Sequence, residues 1–401
     1  MSKGQVLVEL NRNSSAKTAL SVNAFHKASR KARRLLTGAG LLASAALLSA
    51  CYGGDFEKEN TPIPSYLKAK MADINVGERD GIFIRIFKKE AELEVWKRKS
   101  SGKYALLKTY EICAWSGDLG PKFKEGDRQA PEGFYRVTPG LMNPNSSFHL
   151  AFNLGFPNSY DRSHNRTGSF LMVHGACSSA GCYSMEDAQI EEIYALAREA
   201  FLGGQKAFQV HAFPFRMSAE NMAIFQNDES MPFWRTLKRG YEHFELTGVA
   251  PKVDSCNRGY VFNAKATDGG KFNAKNACPA YEVPKNLKLA VDTKINQDKA
   301  IENKIAARFF TDKDRRHAEL ISRLEIEEAR IDKFKDRGLA YSSHMKRRLI
   351  GIQKQLVALG FNPDGSAPAN GGAQTGSTDA GSTGISAPNT PTPAKRPGNA
   401  A

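Results

Sequence analysis

Residues 81–117, "GIFIRIFKKEAELEVWKRKSSGKYALLKTYEICAWSG", alternate apolar with polar side chains through three successive runs, and a charged turn separates the first two. A period of two suits strands, whose side chains point to opposite faces in turn, and is incompatible with a helix that buries one stripe. The stretch therefore predicts an antiparallel sheet with one wet face. "FYRVTPG", "HLAFNLGFP" and "SFLMVHG" read as further short strands, the last nearly all apolar and so central. One helix is plain in "MEDAQIEEIYALAREAFL", with an acidic first turn and apolar Ile190, Ile193, Tyr194, Ala197 and Phe201 spaced for one buried face. "QKAFQVHAFPFRM" adds a strand, and "MPFWRTLKRGYEHFEL" a second amphipathic helix.

Both ends of the 401-residue chain serve other purposes. Lys27, Arg30, Lys31, Arg33 and Arg34 precede an apolar run from Leu35 to Ala50 that is shorter than the ~20 residues a membrane span needs, so it reads as a secretory signal. Its end, Leu48-Ser49-Ala50-Cys51, resembles a bacterial lipobox, which makes Cys51 a lipidation candidate; cleavage without a lipid is the alternative. Residues 292–360 are charged and helix-prone, with Leu320, Ile321, Leu324, Ile331 and Phe334 at helical spacing, and form an appendage that either packs on the domain or projects as a short coiled coil. The remainder, rich in Gly, Ser, Thr, Pro and Ala, has too little apolar bulk to offset its ordering entropy and is expected to be disordered.

The net charge of +15 is concentrated at the front, where eight basic residues face Glu9 alone within the first fifty. The modest remaining excess suits an anionic wall or membrane surface, and no nucleic-acid motif accompanies it. Export permits disulfides. Cys256 and Cys278, 22 positions apart in an irregular stretch, are read as a loop-closing disulfide, which contributes about 3 kcal/mol in the chain-entropy model; two independent buried thiols are the plain alternative.

"FLMVHGACSSAGCYSM" sets His174 eight positions ahead of Cys182. A thiol acts as a nucleophile once it is deprotonated, and a neighbouring imidazole can take its proton. Gly175, Gly181 and the small residues between them allow the chain to fold back and a substrate backbone to approach. N–H groups near Gly181, Cys182 and Tyr183 could then face a developing oxyanion. Two other readings stay open on chemistry alone: a zinc site recruiting Cys177, Cys182, His174 and His164, and a Cys177–Cys182 disulfide.

Several motifs in order, "GPKFKEGDRQAPEGFYRV", "NPNSSFHLAFNLGFPNSYDRSHNRTGSFLMVHG", "SSAGCYSM" and "HAFPFRM", together resemble the murein L,D-transpeptidase catalytic domain of the YkuD type, and within it the YafK-like branch. The resemblance implies a mainly β, β-sandwich-like catalytic domain with flanking helices and no metal or organic cofactor. It implies that Cys182 attacks a carbonyl between L- and D-centres of a peptidoglycan stem peptide, that His174 manages the proton, that the Gly175 carbonyl orients the imidazole and that Gly181 contributes to an oxyanion hole. Tyr183, Ser179, His211 and Arg216 are the candidate groove residues. The commoner family pattern has a second His and an Arg where this chain has Ala180 and Ser184, which puts transpeptidation of ordinary stems in doubt. Members of this branch are implicated in releasing proteins attached to diaminopimelate, so an amidase acting on a wall-attached outer-membrane protein is the alternative, and a non-catalytic wall anchor a third.

The expected organisation is then a signal peptide over 1–50, a linker over 51–76, the catalytic domain over 77–250, an irregular extension over 251–291, the helical appendage over 292–360 and the tail over 361–401. The protein is expected on the periplasmic side of the envelope, held to the membrane by lipid. His164, Asp161 and Arg162 read as loop-shaping residues, while Lys122, Lys124 and Arg128 read as a solvated charged loop that could meet acidic peptides.

Overall fold

The computed structural model describes residues 57–307, 311–341 and 343–368, so the signal, Cys51 and most of the tail lie outside the described residues. Helix α1 (Ser65–Asp73) comes first and buries Leu67 and Met71 in the core, within the stretch expected to be a linker. Strands β1 (Ile82–Phe87), β2 (Glu92–Arg98) and β3 (Tyr104–Glu111) follow as the alternation predicts, antiparallel and in register from Ile82 against Lys97.

After β4 (Ala114–Trp115) and a long loop come β5 (Gly133–Val137), β6 (Met142–Asn143), β7 (Ala151–Asn153), helix α2 (Ser159–Ser163), β8 (Met172–His174) and β9 (Tyr183–Ser184). Helix α3 (Asp187–Leu202) is the helix read from its apolar stripe; Ile190, Ile193, Tyr194 and Ala197 are buried and Phe201 half-buried. Strand β10 (Phe208–Phe213) and helices α4 (Ala219–Ile224) and α5 (Met231–Thr247) complete this part. Hairpin β11 (Val253–Cys256) and β12 (Gly259–Phe262), a short pair β13 (Lys265–Ala266) and β14 (Tyr281–Glu282), and three long helices, α6 (Lys285–Ala306), α7 (Asp312–Asp336) and α8 (Ser343–Ala358), lead to the end.

Two five-stranded mixed sheets form the frame, ordered β3-β2-β1-β10-β5 and β4-β9-β8-β7-β6. They share one core, in which Phe152 of the second sheet meets Phe208 of the first edge-on at 5.6 Å. The wet face expected for the first sheet is instead covered. Every residue of β1 is buried, and Arg85 lies between Glu94 at 2.8 Å and the rings of Trp96 and Phe244, the latter from α5. A second correction concerns proportion: helices hold more of the described residues than strands do, because α3 and α5 back the sheets and the charged segment is helical almost throughout.

The C-terminal helices pack on the body through ions as well as apolar side chains. Lys238 of α5 meets Asp298 of α6 at 2.7 Å, Arg235 meets Glu302 at 2.7 Å, and Arg323 of α7 reaches Asp118 and Asp228. Leu320, Leu324, Ile352 and Leu356 form the small core that α7 and α8 share. The helical segment starts at Lys285, ahead of residue 292. No helix among the described residues is long and apolar enough to cross a membrane.

Candidate active site

Strands β8 and β9 run parallel, with Val173 opposite Tyr183 and His174 opposite Ser184. Val173 and Tyr183 point into the core, so strand alternation sends His174 and Cys182, the residue just ahead of β9, toward the opposite face. The register sets Cys182 beside Met172, whose N–H donates to the sulfur at 3.4 Å, and the thiol lies 3.6 Å from the Phe170 carbonyl as its donor. Thiol and imidazole thus sit on the same face of neighbouring strands.

The loop between them is tied down at each end. Gly175 N–H donates to the Phe148 and Leu150 carbonyls at 3.0 and 3.1 Å, Ala176 N–H to the Asp187 carboxylate of α3 at 2.7 Å, and Met185 N–H to the His174 carbonyl at 2.7 Å. A Cβ at Gly175 would stand 2.6 Å from that Asp187 oxygen, so the carboxylate that holds the Ala176 N–H would have to shift. Gly181 has φ of +136°, a conformation open to glycine and strained for other residues. Ser179 Oγ donates to the Cys182 carbonyl at 2.7 Å, and Ser184 Oγ to the Ser178 carbonyl at 2.5 Å.

Nδ1 of His174 lies 2.6 Å from the Gly175 carbonyl, which can only accept, so Nδ1 carries the proton and Nε2 is left as the base. The ring is buried, with the exposed Phe148 ring tilted against it, centroids 4.8 Å apart. Burial lowers the His174 pKa, with the Gly175 carbonyl opposing. Burial raises that of Cys182, against the Met172 N–H and the positive charge of Lys122. Both shifts favour neutral partners, so the resting pair is thiol and imidazole; a thiol ionised in advance is not what this environment gives. Lys122, read from sequence as part of a solvated loop, is instead buried and fixed on the Asp127 carboxylate and the Lys124 carbonyl. Its position in "GPKFKEGD" offered a cation, but no local signal of its burial.

Cys177 is joined to Cys113, 64 residues away, with Cα atoms 5.3 Å apart. This replaces both the Cys177–Cys182 disulfide and the metal reading, since Cys177 cannot also ligate and His164 is spent on the Arg258 carbonyl at 2.8 Å. Among the described residues no three His, Cys, Asp or Glu side chains gather as a metal site. Cys256 and Cys278 are bonded, with Cα atoms 4.9 Å apart.

Three of the four groove candidates need correction. Tyr183 is fully buried, and its hydroxyl donates to the Pro131 carbonyl at 2.7 Å, where it fixes the neighbouring loop and offers nothing to a ligand. His211 is fully buried between Phe83 and Phe134, ring centroids 4.6 and 4.7 Å away, because its strand, β10, is interior to the first sheet. Arg216 bonds Glu92 and Glu94 and lies over Phe87, so it too serves that sheet. Ser179 alone stays at the loop surface. The Gly181 amide donates to Ser179 Oγ at 3.3 Å, a long bond that occupies it at rest but is weak enough to yield.

No family model matches the chain. Two curated relatives, from Escherichia coli strain K12 and from Escherichia coli O157:H7, both bearing the name "Putative L,D-transpeptidase YafK", are 43% identical to it over 180 residues, which is 45% of this chain and 73% of each relative. Among solved structures, the helical cell shape determining protein Pgp2 from Campylobacter jejuni is 21% identical, covering 37% of this chain and 56% of its own, with a TM-score of 0.27. Bdellovibrio bacteriovorus Bd1075 is 15% identical, covering 44% and 78%, with a TM-score of 0.26.

Proposed function

The chain belongs to the L,D-transpeptidase family, and from that premise we propose that it is an envelope enzyme that acts on peptidoglycan stem peptides through an acyl-enzyme on Cys182. The observation that carries this reading is the single tautomer imposed on His174: with Nδ1–H held by the Gly175 carbonyl, Nε2 is the free lone pair on the face that also bears Cys182. Nε2 takes the thiol proton as sulfur bonds to the carbonyl carbon of the L,D-linked residue, and the negative charge passes to the carbonyl oxygen. Collapse of that intermediate breaks the C–N bond, the imidazolium gives its proton to the departing amine, and a thioester remains. An incoming amine then gives a proton to His174 and attacks the thioester, which forms a new amide and restores the thiol.

Water in place of the amine makes the enzyme an amidase, and one observation favours keeping that reading. Ser184, at the position where the commoner pattern has Arg, is buried and turned onto the Ser178 carbonyl, so it offers no cation to an acceptor. Incubating the mature protein with purified muropeptides and separating the products by mass spectrometry decides between the two. Crosslinked dimers mean transfer, while trimmed stems or freed diaminopimelate-linked peptide mean hydrolysis. Unchanged muropeptides beside normal wall binding would leave only the non-catalytic anchor. We further infer lipid attachment through Cys51 and a periplasmic site of action, which labelling with a fatty-acid probe checks directly.

A further inference from the structure

The loop over residues 121–129 packs on the chain that holds the reacting sulfur. Thr167 N–H donates to the Phe123 carbonyl at 3.0 Å, Glu125 N–H to Thr167 Oγ1 at 3.1 Å, and Ser169 Oγ to the Glu125 carboxylate at 3.0 Å. Residues 167–169 lead directly into Phe170 and Met172, whose carbonyl and N–H contact Cys182 Sγ. The Gln129 carbonyl, at the loop's other end, lies 3.8 Å from where a Cβ at Gly181 would stand. The loop therefore meets the chain both at the strand beside the sulfur and at the residue just before it.

Lys122 is the cation that this packing buries. Only 3% of it is exposed, and its Cε lies 2.5 Å from where a Cβ at Gly168 would stand, so its stem passes hard against the backbone there. One methyl of Leu171 comes within 3.3 Å of the same position, and the other within 3.5 Å of the Cβ position of Gly181. A single side chain thus spans from Lys122 to the turn that delivers Cys182. The ammonium bonds the Asp127 carboxylate, yet the two charges do not cancel at the sulfur. Asp127 is the more exposed partner, and it also accepts from the N–H groups of Phe123, Lys124 and Gln129 at 2.9, 2.9 and 3.0 Å, which spread its negative charge over the loop backbone. The positive charge of Lys122 favours the Cys182 thiolate, and among the described residues no carboxylate counters it there. The other charged neighbours are engaged or exposed: Asp187 of α3 holds the Ala176 N–H, Glu125 holds Ser169, Arg128 is exposed beside Gly181, and His174 of β8 is the base.

We propose that Lys122 is a positioning residue for charge: it keeps a buried ammonium near Cys182 to stabilise the negative charge that sulfur takes on when its proton passes to His174 Nε2 and the electron pair stays behind. The proposal rests on the reading of Cys182 as the nucleophile and deepens it. The sulfur is otherwise in a buried, neutral setting, and Ser184 supplies no cation. Water and salt weaken a buried charge far less than an exposed one, so one fixed ammonium suffices where a solvated lysine would not.

The test reads the sulfur apart from turnover. Full-length protein is alkylated with iodoacetamide over a range of pH, and modification of residue 182 is followed by mass spectrometry after digestion. Lys122→Met is expected to move the midpoint of that profile up by about half to one pH unit, which slows alkylation at about pH 8 by roughly three- to tenfold. Lys122→Arg should restore most of the loss. Asp127→Asn removes the counter-ion and keeps the ammonium, so it should leave the midpoint in place or lower it. A loop that needs the ion pair only to hold its shape would shift alike in Lys122→Met and Asp127→Asn. Lys122→Gln serves the same comparison should Lys122→Met fail to fold. An unmoved midpoint without the ammonium, no rescue by Lys122→Arg, or an equal upward shift in Asp127→Asn overturns the proposal. The expected shifts, with no acyl adduct formed by the unaltered protein on a stem tetrapeptide, would reject the catalytic reading while leaving the effect of Lys122 on the sulfur in place.

Discussion

The Cys113–Cys177 disulfide offers the sharpest perturbation of the site that leaves its chemistry untouched. It closes a loop with a sequence separation of 64, so the chain-entropy relation gives about 4 kcal/mol of stabilisation at 25 °C. The Cys256–Cys278 bond, with a separation of 22, gives about 3 kcal/mol by the same relation. The two removals should therefore cost similar stability, yet only the first loosens the segment from Gly175 to Gly181. With Cys113→Ala/Cys177→Ala, the loop keeps the Asp187 and Ser184 hydrogen bonds but loses its covalent tether to the chain beside β4. A displacement of about 1 Å at the sulfur costs up to ~100-fold in rate, so kcat should fall by about 10- to 100-fold. Cys256→Ala/Cys278→Ala should leave kcat within about twofold. The assay is guanidinium unfolding followed by tryptophan fluorescence for stability, with muropeptide turnover for kcat at a temperature where both variants stay folded. Equal turnover in the two variants would show that the tether does not position the nucleophile.

The pH profile of kcat/KM should be a broad plateau through neutrality. Turnover needs neutral His174, so it falls as pH drops through a pKa that burial holds below the usual ~6.5, and it persists on the alkaline side until the Cys182 thiol, raised by burial, loses its own proton. A narrow bell with an alkaline limb near pH 7 to 8 would mean a preformed ion pair instead. Glu132→Gln should destabilise by about 3–5 kcal/mol in denaturant titrations, because it leaves Lys88, fully buried 2.9 Å away, without a counter-charge while sparing the Trp234 N–H bond. The paired change Lys88→Met/Glu132→Leu should recover most of that loss, and a single-variant cost under about 1 kcal/mol would contradict the pairing.

Strand alternation and the stripe of α3 were legible because both are local and follow from side-chain direction alone. The loop around His174 and Cys182 was legible for the same reason: glycines and a short strand determine where two nearby residues point. Long-range choices were not. Nothing in sequence spacing distinguishes Cys113 from Cys182 as the partner of Cys177, and nothing near His211 shows that β1 and β5 will flank its strand and bury it. Arg85 looked like one side of a wet face because its partners, Glu94 and the rings of α5, are assembled by packing. Arg330 and Arg348 lay in a helical run whose charge pattern suits a solvated surface equally well, and docking against Trp115 alone reveals that Arg330 is buried.

Intact-mass spectrometry of the purified protein, quenched in acid within seconds of mixing with a stem tetrapeptide, addresses the nucleophile without assuming the acceptor. The expected spectrum shows one added acyl group, the peptide less its departing amine, mapped by digestion to residue 182 and absent from Cys182→Ala, with His174→Ala accumulating it far more slowly. Product formation that continues in Cys182→Ala, or an adduct that maps to another side chain, would contradict the assignment of sulfur and imidazole as the reacting pair.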